Sequence, residues 1–216
     1  MTDLHPRHAE TARDVVRRQT DAAHAKLHLH ATFVALFEGN IELDAYTRLI
    51  QRFHGFYAPL DRAIEQTIAT MPDGRDRYPY VRRSDLLAQD LIDLKATALD
   101  LRGGPQCTRA AQIVTPETLG GVLYVIEGAT LGATGVDRAA QRLLDADNCA
   151  GRRFWAWGRA QKAQRWTLAN DYLELRYAQG TALDDLVAGA RDTFDVLADW
   201  LAPLEQPRPT LQRAAT

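Results

Sequence analysis

The sequence predicts an all-α protein, and three observations carry that reading. Apolar residues recur with a helical period through nearly the whole chain, no segment alternates β-branched and polar residues as a half-buried strand does, and Pro, Gly and Asp cluster where helices must stop. At 216 residues the chain is long enough to bury a full core without covalent staples. No internal repeat and no long linker divides it. Residues 9–203 therefore read as one multi-helix bundle, a single domain between an N-terminal extension, 1–8, and a C-terminal tail, 204–216, expected to be loose.

The first helix is expected from about Ala9 to Leu29. The second begins near Leu43 and continues through YTRLIQRFHGFYAPLDRAIEQTIATM, with Gly55 or Pro59 as a place to bend. The segment MPDGRDRYPY is turn-rich, and Ser84 with Asp85 offers an N-terminal cap for a third helix ending near Arg102, before Gly103, Gly104 and Pro105. A fourth helix starts where Thr115 caps and Pro116 takes the first helical position, and it runs to Leu144. The fifth spans about Arg152 to Ala178 with Gly180 as its stop, and the sixth runs from Ala182 to Leu201 before Pro203.

The fourth helix contains five glycines: Gly120, Gly121, Gly128, Gly132 and Gly135. Each interior glycine costs about 0.5–1 kcal/mol relative to alanine, so something must need bare backbone there. On a helical wheel Gly121, Gly128, Gly132, Gly135 and Ala139 share one face, forming a groove almost free of side chains. Two bodies fit such a groove: a closely packed neighbouring helix, or a planar ligand whose face approaches the main chain.

Composition narrows the function classes. Net charge is −2 with acidic and basic residues interspersed, so no nucleic-acid footprint is present. Cys107 and Cys149 lie far apart without zinc spacing and read as reduced thiols, which suits a cytoplasmic protein. The N-terminus shows no export signal, and no apolar run was expected to approach the roughly 20 residues of a membrane span. His24 and His28 stand one turn apart on the first helix, with His30 at its end. The pair alone does not complete a four-ligand zinc set.

Two stretches carry a family resemblance. RRQTDAAHAKLHLHATFVALFEGNIELDAYTRLIQRFHGFYAPLDRAI resembles the N-terminal half of haem oxygenases, whose first helix carries Thr-x-x-x-His, here Thr20 to His24. LGGVLYVIEGATLGA resembles the distal-helix signature of the bacterial, biliverdin-producing branch, and it lies about a hundred residues from the histidine. The order and lengths of the helices match as well, so the implied fold is a haem-oxygenase-like bundle.

The resemblance implies that haem b is both cofactor and substrate, cleaved with dioxygen and electrons to biliverdin, carbon monoxide and ferrous iron. It places His24 as proximal iron ligand and Gly128 and Gly132 as the distal glycines over the porphyrin. A neutral imidazole suits iron, and a side-chain-free helix leaves the sixth position open. It also implies Arg17 as a propionate partner, with Arg18 beside it, and basic partners on the fifth helix among Arg159, Lys162 and Arg165; the alternative for these is a solvated face. Phe194 falls where the family packs an aromatic on the haem, with plain core packing as its other role. His28 stands where many relatives have an acidic residue and is the second choice of ligand. His54 reads as a packed or surface histidine, Tyr124 as packing and Glu127 as helix surface.

One departure is Ala129, where many relatives have an aspartate that organises proton-feeding waters; Asp137 and Arg138 further along receive no role. The implied partners are a ferredoxin or flavin reductase docking on basic surface near the haem edge and a bacteriophytochrome as bilin acceptor, with the protein a monomer bound to neither membrane nor nucleic acid. Other classes remain on the same scaffold: a non-catalytic haem carrier or sensor, which the missing aspartate favours; a di-iron protein, which wants Glu-x-x-His pairs that the chain lacks; and a thiamin-degrading enzyme, which wants a nucleophilic cysteine.

Overall fold

The computed structural model describes residues 10–72, 78–96, 104–145 and 147–205; the expected extension 1–8 and the tail from 206 onward lie outside the described residues. Among them are eight α-helices, a terminal 3-10 turn at Ala202–Glu205, and no strand. The helices are α1 (Ala12–His28), α2 (Ala31–Glu38), α3 (Leu43–Thr70), α4 (Ser84–Asp93), α5 (Thr108–Gln112), α6 (Leu119–Leu144), α7 (Arg153–Ala178) and α8 (Leu183–Leu201).

α1 begins at a capping box. Thr11 Oγ1 accepts from the Asp14 N–H at 3.1 Å while the Asp14 carboxylate accepts from the Thr11 N–H at 3.4 Å, so the start falls three residues later than expected. Leu29 ends it. His30 then caps α2, a helix absent from the sequence reading: buried, it accepts from the Thr32 N–H through Nδ1 at 3.3 Å, and Gly39 at φ 75° stops the helix.

α3 passes through Pro59 unbroken. A proline lacks the N–H that would satisfy the carbonyl four residues earlier, which here belongs to Gly55. The Cys107 N–H takes that carbonyl at 2.9 Å. Position 55 must be glycine for the same approach, since a Cβ would lie 2.3 Å from the Pro105 carbonyl oxygen. α5 follows directly and is the second helix not anticipated.

Two aspartates cap helices at a distance. Asp61 of α3 accepts the Arg83 and Ser84 N–H groups at 3.0 and 2.7 Å, so α4 takes its N-terminal cap from α3 instead of from Ser84. α4 ends at Asp93, short of the expected Arg102, and residues 97–103 lie outside the described residues. Asp90 of α4 accepts the Arg153 and Phe154 N–H groups at 2.6 and 3.0 Å, which starts α7 where expected. Gly180, at φ 95°, stops it.

α6 begins at Leu119 and not at Pro116: Thr118 Oγ1 donates to the Ile113 carbonyl at 2.7 Å, folding residues 115–118 into a turn. α6 packs along α7 and α8, and α1 leans on α8. By length and composition α6 could cross a membrane, which corrects the expectation that no such stretch exists. Most of its apolar surface is instead buried within the bundle, where α3 contributes Tyr46, Leu49, Ile50, Phe56 and Leu60 to the same core as Leu119 and Leu123.

Candidate functional site

α1 and α6 lean on the same neighbours without packing closely on each other, and a cavity of about 630 Å³ lies between them. That size suits a cofactor or a drug-sized ligand. One wall is the face of α1 that repeats every three to four residues: Arg13, Arg17, Asp21, His24 and His28. The opposite wall is α6 from Gly128 to Val136, and Phe33, Phe53, Trp155 and Phe194 supply apolar lining.

The His24 and His28 Nε2 atoms are 3.1 Å apart. Burial pushes the His24 pKa down, His28 adds to the effect, and Asp21 opposes it. His24 is therefore a neutral imidazole at neutral pH, with a lone pair to offer. Phe194 meets the His24 ring edge-on at 5.9 Å between centroids while packing with Leu173 and Leu186, so it is a core residue that also lines the cavity.

The expected glycine groove divides. A Cβ on Gly121 would lie 1.9 Å from the Leu186 carbonyl oxygen, so that glycine serves close packing of α6 on α8. Gly128 makes room for the Trp166 indole at 3.1 Å, and Gly135 for Phe37 at 3.2 Å. A Cβ on Gly132 would meet nothing within 4 Å, and the residue lines the cavity. Neighbouring side chains and helices fill part of the groove, and at Gly132 it is open.

Glu127, one residue before Gly128, corrects the reading of a helix-surface position. It is 0% exposed and ion-paired to both Arg83 and Arg165, with the Tyr78 hydroxyl donating to it at 3.1 Å. Arg165 also donates to the Pro79 carbonyl at 2.8 Å, so its guanidinium is committed away from the cavity and the expected propionate role is withdrawn. Lys162 is exposed, contacts Thr134 Oγ1 at 3.3 Å and does not line the cavity. Arg159 pairs with buried Asp137 at 3.1 Å.

Three arginines line the cavity: Arg17, which the sequence singles out, and Arg13 and Arg83, which it does not, with Arg83 already paired to Glu127. Arg13 lies one turn before Arg17 on the face of His24, a spacing that sequence alone offers. Its guanidinium sits 5.6 Å from the Trp166 ring centroid. His54 is half-buried on α3 and off the cavity wall. Among the described residues no group of three His, Cys, Asp or Glu side chains could hold a metal ion. The arrangement suits a flat, mostly apolar body with an anionic edge and a metal of its own, which one imidazole can ligate.

The haem oxygenase family model matches residues 11–202. The chain belongs to the haem oxygenase family. A curated haem oxygenase from Xanthomonas campestris pv. campestris is 26% identical over 186 residues, covering 80% of this chain and 98% of that protein. The fold matches the haem oxygenase of Leptospira interrogans, with a TM-score of 0.72 at 19% identity over 89% of this chain and 99% of that one. It also matches haem oxygenase-1 of the cyanobacterium Synechocystis, a complex with haem, with a TM-score of 0.69 at 19% identity over 90% and 92%. Family membership makes haem the group to test against this cavity. The neutral His24 imidazole, the space over Gly132 and the cations at Arg13 and Arg17 fit it.

Proposed function

We infer that this protein is a haem oxygenase that takes haem b as cofactor and substrate and yields biliverdin, carbon monoxide and ferrous iron, with electrons from a ferredoxin or flavin reductase. The observation that carries the reading is the pairing across one cavity of a neutral imidazole, His24, with a helix left bare at Gly132. Bound haem supplies the iron at which dioxygen is reduced and the ring that is oxidised. The chain supplies the rest.

His24 Nε2 would offer its lone pair to the iron, and Phe194 limits rotation of the imidazole. Arg17 and Arg13, both exposed on the cavity wall, would hold the propionates by charge. Gly132, bare where it lines the cavity, would leave space for dioxygen to reach a bound haem. Glu127, clamped by Arg83 and Arg165, fixes the height of this part of α6.

Ala129 brings no acid, and the Thr130 hydroxyl is spent on the Glu127 carbonyl at 2.6 Å. Protons would then have to come through water, which Tyr57 on the cavity wall, a phenol that burial keeps protonated, would help to hold. The same two residues support a second reading, a carrier or sensor that holds haem without degrading it.

Haem added to the protein should give a five-coordinate histidine spectrum that His24→Ala abolishes, and a reductant followed by air should turn the solution green with bilin. Retention of the wild-type Soret band and axial-ligand signature in His24→Ala refutes the ligand assignment; oxidation without pigment favours the carrier.

A further inference from the structure

Ligation of haem iron from one side uses one imidazole, yet two stand together on this wall. His24 and His28 both line the cavity, their Nε2 atoms 3.1 Å apart and their ring planes at 70°. Two nitrogens at that separation, each about 2.0–2.1 Å from a shared ion, subtend roughly 100° at it. This lies between octahedral and tetrahedral angles, so the side chains stand nearly in chelating position.

We propose that His24 and His28 together seat a divalent first-row metal ion in the haem-free protein, and that the native occupant is the ferrous iron released at the end of ring cleavage. The identity of that occupant rests on the function inferred above; the seat itself rests on the histidine geometry.

Imidazole nitrogen suits ferrous iron and binds the later first-row ions more tightly still. No third protein ligand joins the pair among the described residues, so water fills the remaining positions and the ion can leave. That makes a transit seat, unlike a closed structural site. Asp21, one turn before His24 on the same wall, adds negative charge, and its electrostatic effect reaches the His24 ring.

The exchange balances without redox chemistry. In the metal-free protein one Nε2 carries the hydrogen of the contact; chelation moves that hydrogen to Nδ1 of the same ring through solvent, and two waters leave the ion. Haem and the free ion exclude one another, because both need the His24 Nε2 lone pair. An iron held by His24 at the end of turnover would find a second nitrogen one helical turn away.

The test uses the full chain without haem. Co²⁺, and Fe²⁺ under anaerobic conditions, should bind one ion per chain by calorimetry and by the cobalt visible spectrum, weakened at least tenfold in His28→Ala and expelled by added haem. His28 is exposed, so this variant does not endanger the fold. In a single turnover of the haem complex, iron should reach a chromogenic chelator later than the pigment appears in wild type, and together with it in His28→Ala. Absent or non-stoichiometric binding, or binding unchanged in His28→Ala, overturns the seat. Binding without the lag overturns ferrous iron as its occupant. The haem spectrum reads the other assignment separately: if His28→Ala loses the histidine-ligated spectrum while His24→Ala keeps it, the ligand reading has failed.

Discussion

Near its start, α6 approaches α8 so closely that a Cβ on Gly121 would come within 1.9 Å of the Leu186 carbonyl oxygen and 2.7 Å of the Ala190 nitrogen; three turns later, Gly132 has nothing within 4 Å. Both glycines forfeit about 0.5–1 kcal/mol of helix propensity. Gly121 regains it through backbone contact with a neighbouring helix, while Gly132 regains nothing from the protein. An unrepaid glycine facing a cavity marks a place kept open for something else. Between them lies Glu127, buried and paired to both Arg83 and Arg165, which ties this part of α6 to the rest of the bundle.

Four substitutions test this division. Glu127→Ala leaves Arg83 and Arg165 buried without their counter-charge and should cost about 3–5 kcal/mol in urea unfolding. A loss below about 1 kcal/mol would show that α6 does not depend on the clamp. Gly121→Ala forces α6 and α8 apart and should cost about 2–3 kcal/mol, while haem taken up by the folded fraction keeps its wild-type spectrum. A spectral change without loss of stability would reverse the assignment of that half. Gly132→Ala is the smallest and carries the opposite sign: with no atom to meet, the methyl should raise the stability of the haem-free protein by about 0.5–1 kcal/mol. The same methyl should slow bilin formation, and Gly132→Phe should slow it more than it weakens haem uptake. Equal turnover by the phenylalanine variant would break the comparison.

The long helices were legible because each buries a stripe at a constant period. α2 and α5 were not: eight and five residues are too few to show that period, and His30 and the Gly55 carbonyl hold them through contacts distant in sequence. On α1 the cavity face could be read directly, since Arg17, His24 and His28 share a helix and spacing alone aligns them. Arg165 and Glu127 were misread for the complementary reason. Their partners come from 38 and 44 residues away, and a charge on a helix reads as solvated until something is seen to cover it.

By itself the sequence determined that the protein is helical, that a histidine face lies on the first helix, and that one later helix is unusually bare, because these are local regularities of period and composition. Only the tertiary structure decided which glycines pack and which open, which arginines reach the cavity and which are locked behind it. Those outcomes depend on where helices far apart in the chain come to rest, and a Cβ clash or a buried ion pair exists only after they have met.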